Sequence, residues 1–444
     1  MTMKKCIFER DSTNNENFGF LTFFMKILHT ADWHLGRRLH GQELTPEHDL
    51  MLDELIAIIR ERRINALVHA GDVFDSANPP NYALRQYYSF LTRAVQAGGC
   101  STVIITGGNH DSPSALNAPK HLLETMNIHV VGCATENINE EIIPVKDANG
   151  QTLGYCAAVP FLRDKDLRYS QPGESDDDRS KRLIEGIRKH YECAANTALE
   201  TMSAAKHEHL PLFATGHLFA QGGKTGDLDK KEQIHVGNLG QIGADAFPEA
   251  FSYVALGHLH SPQIVGKRYT VRYSGSPIAL DFSERDDAKE VVIVEWKDNQ
   301  APTIESLPLT AHRRLMRFSG TWREVESALK TYDASKSALP VLAEIRIQPN
   351  AEGVFAGLNP DEHFRTLATK LHGSQMLIVR VVQERPRADS VFASADEVQL
   401  EELTHELVFE ERLKREGLEA AQTRELKQTY KELLALFGEK EETA

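Results

Sequence analysis

The run Leu67-Val68-His69-Ala70-Gly71-Asp72-Val73-Phe74-Asp75 constrains this chain most, because an apolar stretch ends there on a carboxylate that no structural need demands. A short β-branched and apolar run predicts a buried strand of a parallel sheet, and ligands of such folds gather at the strands' carboxyl ends. Four other runs repeat the arrangement. Lys26-Ile27-Leu28 leads into His29-Thr30-Ala31-Asp32-Trp33-His34, and Ser101 to Ile105 leads into Thr106-Gly107-Gly108-Asn109-His110-Asp111. Leu210 to Ala214 leads into Thr215-Gly216-His217, and Tyr253 to Leu256 into Gly257-His258-Leu259-His260. If the five runs are adjacent strands, their tips converge on one pocket of oxygen and imidazole donors.

Carboxylate, carboxamide and imidazole without thiolate suit borderline-hard divalent ions, Mn2+ and Fe2+ before Mg2+ or Zn2+. Two ions need a shared ligand, and Asp72 is central in the series. A pair of ions about 3.5–4 Å apart clamps a phosphoryl group during displacement. Any one of these histidines alone could be a satisfied core residue, and any one Asp a helix cap. Five such coincidences at strand ends make a site.

Asp32-x-His34, Gly71-Asp72-x-x-Asp75, Gly108-Asn109-His110-Asp111, Gly216-His217 and Gly257-His258-x-His260 resemble, in order, the five motifs of the calcineurin-like metallophosphoesterases. The strings Ile27 to Gly36 and Ser274-Gly275-Ser276-Pro277 resemble more narrowly the family of nuclease subunits of bacterial SbcCD complexes. The resemblance implies an α/β fold, a metallophosphoesterase α/β/β/α sandwich with a small α+β capping domain and C-terminal partner-binding helices. It implies one ion on Asp32, His34, Asp72 and His260 and a second on Asp72, Asn109, His217 and His258. His110 would protonate the leaving oxygen, Asp111 would orient it, and Asp75 would hold a ligand in place. Some relatives carry His where this chain has Asp75.

At 444 residues the chain has room for about three units. Apolar content of 41% and charged content of 26% are those of a globular protein, and no stretch reaches the length of a membrane span. Five cysteines form no C-x-x-C pair, so they read as reduced thiols in cytoplasm. A net charge of -14 argues against coating nucleic acid by bulk charge and leaves DNA contact to local patches. Arg37-Arg38 and His312-Arg313-Arg314 are the candidates, the first pair for backbone phosphates.

Residues 1–24 read as a disordered N-terminal extension, not a secretory signal, since no small-residue cleavage site follows the Phe-rich tail. Residues 25–308 form the expected nuclease domain, with helices over Glu47–Arg63, Tyr82–Ala97 and Ser114–Met126. Asp164 to Lys181 reads as an exposed loop before a helix from about Leu183 to Ala205. Gln221-Gly222-Gly223-Lys224-Thr225 is no Walker A loop, because Leu218 stands where the first Gly belongs and no helix follows. Any ATPase is therefore a separate chain. Residues 309–385 predict a βαβαβ cap, and 386–444 a linker with two amphipathic helices striped by Leu400, Leu403, Leu407, Leu413, Leu418, Leu426, Tyr430, Leu433, Leu434 and Phe437.

By resemblance those helices dock on the coiled coil of an SbcC-type ATPase, within a heterotetramer containing a homodimer of this chain. The activity implied is ATP-dependent 3′ to 5′ cutting of duplex ends, with endonucleolytic cutting of single strands and hairpins, in DNA repair, recombination and replication. A cyclic-nucleotide or other small-molecule phosphodiesterase would use the same motifs, and a DNA-end scaffold would need none of them.

Overall fold

The strands follow the apolar runs. They are β1 (Phe24–Thr30), β2 (Arg38–Leu39), β3 (Gln42–Glu43), β4 (Ala66–Ala70), β5 (Thr102–Thr106), β6 (Ile128–Val131), β7 (Ile142–Lys146), β8 (Thr152–Ala157), β9 (Leu212–His217), β10 (Val254–Gly257), β11 (Gln263–Ile264), β12 (Val271–Tyr273), β13 (Glu290–Lys297) and β14 (Thr303–Pro308). This computed structural model describes residues 24–96, 100–167, 175–220, 242–298, 300–348, 359–384, 409, 413, 422, 424 and 426–430. The extension before Phe24, the loop from Gln221 to Lys231, and nearly all of the linker and C-terminal helices lie outside the described residues.

Two compact units emerge from the chain. One comprises Met1–Phe318, Ala328–Ile345 and Asn359–Val381; the other comprises Ser319–Ser327, Arg346–Leu358 and Val382–Ala444. The first unit carries two six-stranded sheets, in the orders β14-β13-β1-β4-β5-β6 and β11-β12-β10-β9-β8-β7. The central pairings β1/β4, β4/β5, β8/β9 and β9/β10 are parallel.

Alternation along each strand explains the stacking. Ile27, Val68 and Ile104 meet Cys156, Phe213, Tyr253 and Ala255 in one apolar cluster between the sheets. The odd-facing Leu28, Leu67, Val103 and Ile105 instead pack with Leu55, Ile59, Phe90 and Leu91 of the covering helices. On the far side, Ala214, Val254 and Leu256 pack with Ile187, Tyr191 and Ala194. The layers are therefore helix, sheet, sheet, helix, the sandwich that the resemblance implies. The five site strands are not one run of neighbours: β1, β4 and β5 belong to one sheet and β9 and β10 to the other.

The first helices span Thr45–Arg62 and Asn81–Gln96. The helix expected over Ser114–Met126 is two short ones, Pro113–Asn117 and Lys120–Glu124, because Pro119 between them has no N–H to continue the ladder. The third long helix starts earlier than expected, at Asp176, with Ser175 capping it through the Asp178 amide. The helix thus begins inside the stretch expected as loop. Its inner face covers the second sheet, so this helix is a core layer.

Farther along, β15 (Leu315–Gly320), β16 (Val341–Ile347) and β17 (Met376–Gln383) form a three-stranded sheet in that order. Helices Trp322–Thr331 and Pro360–His372 connect them. Buried Glu344 pairs with Arg317 and, at 3.2 Å, with Arg380. In the second unit the rings of Phe409 and Tyr430 stack with centroids 3.9 Å apart. No helix among the described residues is long and apolar enough to cross a membrane.

Candidate metal centre

Four of the five strands end one to three residues before a polar donor, and β9 ends on one, His217. The backbone at several of these donors is forced out of ordinary geometry. Asp32, His34, Asp72 and His258 take φ of 54°, 47°, 56° and 103°. Non-glycine residues avoid this left-handed region at a cost of about 1–3 kcal/mol each, and such positions cluster at functional sites. Cross-loop hydrogen bonds hold them, with Asp32 N donating to Gly71 O at 3.0 Å and His34 N to Asp72 O at 3.1 Å. Gly71 is required twice over: its φ is +90°, and a Cβ there would stand 2.1 Å from His217 Nδ1. A Cβ on Gly108 would stand 2.0 Å from Asp72 Oδ1.

The tips of both sheets thereby meet. Ligand atoms of Asp32, His34 and His260 lie within 4.8 Å of one another, as do those of Asp32, Asp72 and His217, and those of His34, Asp72 and His110. Asn109 Oδ1 accepts from His217 Nε2 at 2.9 Å and lies 3.1 Å from His258 Nδ1. Asp72 Oδ2 is 3.2 Å from His217 and 3.6 Å from His34. All seven residues expected as ligands are thus in one place, and Asp72 stands between the groups.

Burial makes this cluster costly without a cation. Both ring nitrogens of His34 and Asp72 Oδ2 are buried without a hydrogen-bond partner. Burial pushes the Asp32 carboxyl up to about 7 and pushes His34 down. Burial also opposes charge on Asp72 and His217, but the two stabilise each other. Asp72 is held well below the usual carboxylate range, chiefly by His217 and then His34, and His217 rises to about 9. Two carboxylates, a carboxamide and four imidazoles converging on one buried spot fit divalent cations.

Residues 25–292 match the family model described as calcineurin-like phosphoesterase. The chain belongs to that family. It is 31% identical to the SbcD component of the nuclease SbcCD of Escherichia coli (strain K12) over 424 residues, 94% of this chain and 100% of that protein. It is 35% identical to the protein of the same name in Bacillus subtilis (strain 168), over 66% of this chain and 72% of that one. The Rhodobacter capsulatus protein so named is 34% identical, over 74% of this chain and 79% of its own length. A phosphoesterase fold and this donor set together make the pocket a divalent-metal site.

Around the phosphoesterase centre, the histidines are braced from behind. His217 Nδ1 donates to the Ala70 carbonyl at 2.9 Å, and His260 Nδ1 to Glu284 Oε1 at 3.0 Å. His110 Nδ1 donates to the Asp75 carbonyl at 3.0 Å, while its own backbone N–H donates to Asp72 Oδ1 at 2.9 Å. Asp111, expected to orient His110, has its carboxylate on the backbone N–H groups of Val73, Phe74 and Gly108 at 2.9–3.1 Å. It ties the second and third motifs together. Asp75 Oδ1 lies 3.5 Å from His34 Nδ1 and accepts from Arg37 at 2.8 Å. That ion pair turns Arg37 inward, whereas Arg38 keeps 60% of its side chain exposed.

The second basic patch is also largely used up. His312 contacts Glu54 at 3.1 Å, and Arg313 pairs with Glu47; Arg314 stays exposed. Glu284 and Lys289 carry no motif that marks them in the sequence. Only the Ser274-Gly275-Ser276-Pro277 string pointed toward them, since Ser276 hydrogen-bonds the His260 carbonyl through its N–H at 3.1 Å.

Proposed function

We propose that this chain is the nuclease subunit of an SbcCD-type complex, hydrolysing DNA phosphodiester bonds with two divalent ions, Mn2+ before Mg2+ or Fe2+. The buried cluster of seven donors around Asp72 carries this reading. Likeness to SbcCD nuclease subunits along 94% of the chain supports the substrate. Asp32, His34, Asp72 and His260 hold one ion; Asp72, Asn109, His217 and His258 hold the other. When bound, the ions neutralise phosphoryl oxygens and acidify a water for in-line attack.

The chain's own residues do the rest. The left-handed loops keep the donors pointed at one spot before substrate arrives, so little reorganisation accompanies reaction. His110 is a donor at Nδ1, because the Asp75 carbonyl can only accept. Protonated on both nitrogens, the His110 imidazolium then gives its Nε2 proton to the leaving oxygen, which leaves a neutral ring still held at Nδ1. Asp111 fixes the loop that carries both Asn109 and His110. Exposed Arg38 meets a backbone phosphate, and the 309–385 layer narrows the approach.

The 386–444 helices dock on the coiled coil of an SbcC-type ATPase, which supplies ATP-dependence, and two copies of this chain act in the heterotetramer. Its place is the cytoplasm, on nucleoid DNA. Wild type, Asp72→Ala and His110→Gln are compared on end-labelled duplex and hairpin DNA, with Mn2+ or chelator, with and without the ATPase. Wild type cuts both DNAs only with metal, Asp72→Ala cuts neither, and His110→Gln loses about 10²–10⁴-fold in rate while still binding Mn2+. Intact DNA beside rapid hydrolysis of a small chromogenic phosphodiester would overturn the reading.

A further inference from the structure

Behind His260 lies a buried network that the mechanism above does not use. Glu284 is 3% exposed and sits in a short turn over Phe282–Glu284 capped by Asp281. Its two oxygens have different duties. Oε1 faces His260 Nδ1 at 3.0 Å. Oε2 receives Lys289 Nζ at 2.6 Å and the Leu280 backbone N–H at 3.2 Å, with the Ser276 hydroxyl 3.3 Å away. Lys289 Nζ also donates to the His260 carbonyl at 3.2 Å. Gly275 has a φ of +71°, and a Cβ on it would stand 2.7 Å from that same carbonyl.

We propose that Glu284, locked in orientation by Lys289 and Leu280, is the positioning residue that fixes the tautomer of His260 and thereby its metal affinity. This inference rests on the two-metal reading given above. A carboxylate at Oε1 can only accept, so the His260 proton stays on Nδ1 and the Nε2 lone pair faces Asp32 and His34. Carboxylate–histidine pairs of this kind strengthen the ring as a ligand.

The asymmetry of donors gives a test that volume alone would not. In Glu284→Gln the side-chain oxygen must stay at the Oε2 position, where Lys289 and Leu280 both donate. The amide NH2 then faces His260 Nδ1, which can only accept, and the ring proton moves to Nε2, where a metal ligand needs a lone pair. An isosteric change therefore inverts the tautomer.

Mn2+ is titrated into full-length wild type and Glu284→Gln by calorimetry, with EPR of the loaded proteins and thermal melts of the metal-free ones. Wild type takes two equivalents and shows an exchange-coupled dimanganese signal. Glu284→Gln keeps one equivalent at wild-type affinity, binds the other about 10–100-fold more weakly, and shows a mononuclear six-line spectrum at one equivalent. If Glu284→Gln does not fold, Glu284→Asp replaces it, since retraction of the carboxylate from Nδ1 predicts the same split.

Two equivalents at wild-type affinity in a folded variant would overturn the proposal. So would equal weakening of both equivalents together with a lowered melting temperature, the mark of a structural role. A wild type that binds fewer than two ions would instead bring down the two-metal reading beneath it.

Discussion

Two histidines of the site are braced by different chemistry. His217 leans on the Ala70 carbonyl, part of strand β4, while His260 leans on the Glu284 carboxylate, 24 residues downstream and paired with Lys289. The first support is backbone, so no side chain at position 70 sets it. What it demands is close approach, which Gly71 and Gly257 supply: a Cβ on Gly257 would stand 2.0 Å from the Ala70 oxygen. The second support is made of side chains and carries charge. Lys289 and His260 hold Glu284 well below the usual carboxylate range against the push of burial. One half of the centre is thus set by packing and the other by electrostatics, and they should fail differently.

Asp72 belongs to both halves, so Asp72→Asn is expected to erase the difference. DNA cleavage should fall on the order of a thousandfold or more, because the charge shared by two cations is gone, and both Mn2+ equivalents should weaken together. Calorimetry showing one equivalent untouched would mean Asp72 does not bridge. Gly71→Ala separates the halves. It strains a backbone at φ +90° and drives a methyl into His217. A displacement of about 1 Å at a reacting centre costs about a hundredfold in rate. One equivalent, the one that includes His260, should persist in titrations. Loss of both would show that the two halves of the centre do not set their ligands independently.

The same division explains what was legible in the sequence. Asp32, His34, Asp72, Asn109, His217, His258 and His260 announce themselves because a donor at the end of an apolar strand is conspicuous at fixed local spacing. The braces do not. Glu284 follows Asp281-Phe282-Ser283 in an ordinary acidic surface-like stretch, and only three-dimensional proximity makes it part of the site. The ion pairs of Arg37 with Asp75 and of Arg313 with Glu47 were equally invisible, since the carboxylate that faces a basic residue lies far away in the sequence. The pairing of strands into two sheets was equally hidden. Hydrophobic alternation marks buried faces but does not say which strands are neighbours, and β9 and β10 resemble β4 and β5 in every local respect. The early start of the Asp176 helix was hidden by a polar composition that reads as loop.

The smallest expected effect probes whether the electrostatic half depends on the charge or on the cradle around it. Ser276 lies 3.3 Å from Glu284 Oε2 and donates to the Ile278 carbonyl at 2.9 Å. Ser276→Ala removes that bond and the one its hydroxyl accepts from Lys289 Nζ at 2.9 Å, together about 2–4 kcal/mol, and should lower the melting temperature by several degrees. Lys289 and the Leu280 amide still hold Oε2, so the carboxylate keeps its orientation and His260 its tautomer. Both Mn2+ equivalents should then bind within about threefold of wild type, far from the split expected of Glu284→Gln. A split of equal size in Ser276→Ala would transfer the role from the carboxylate to the loop that surrounds it. His260 would then be braced by packing, as His217 is, and the two halves of the centre would differ only in which backbone they use.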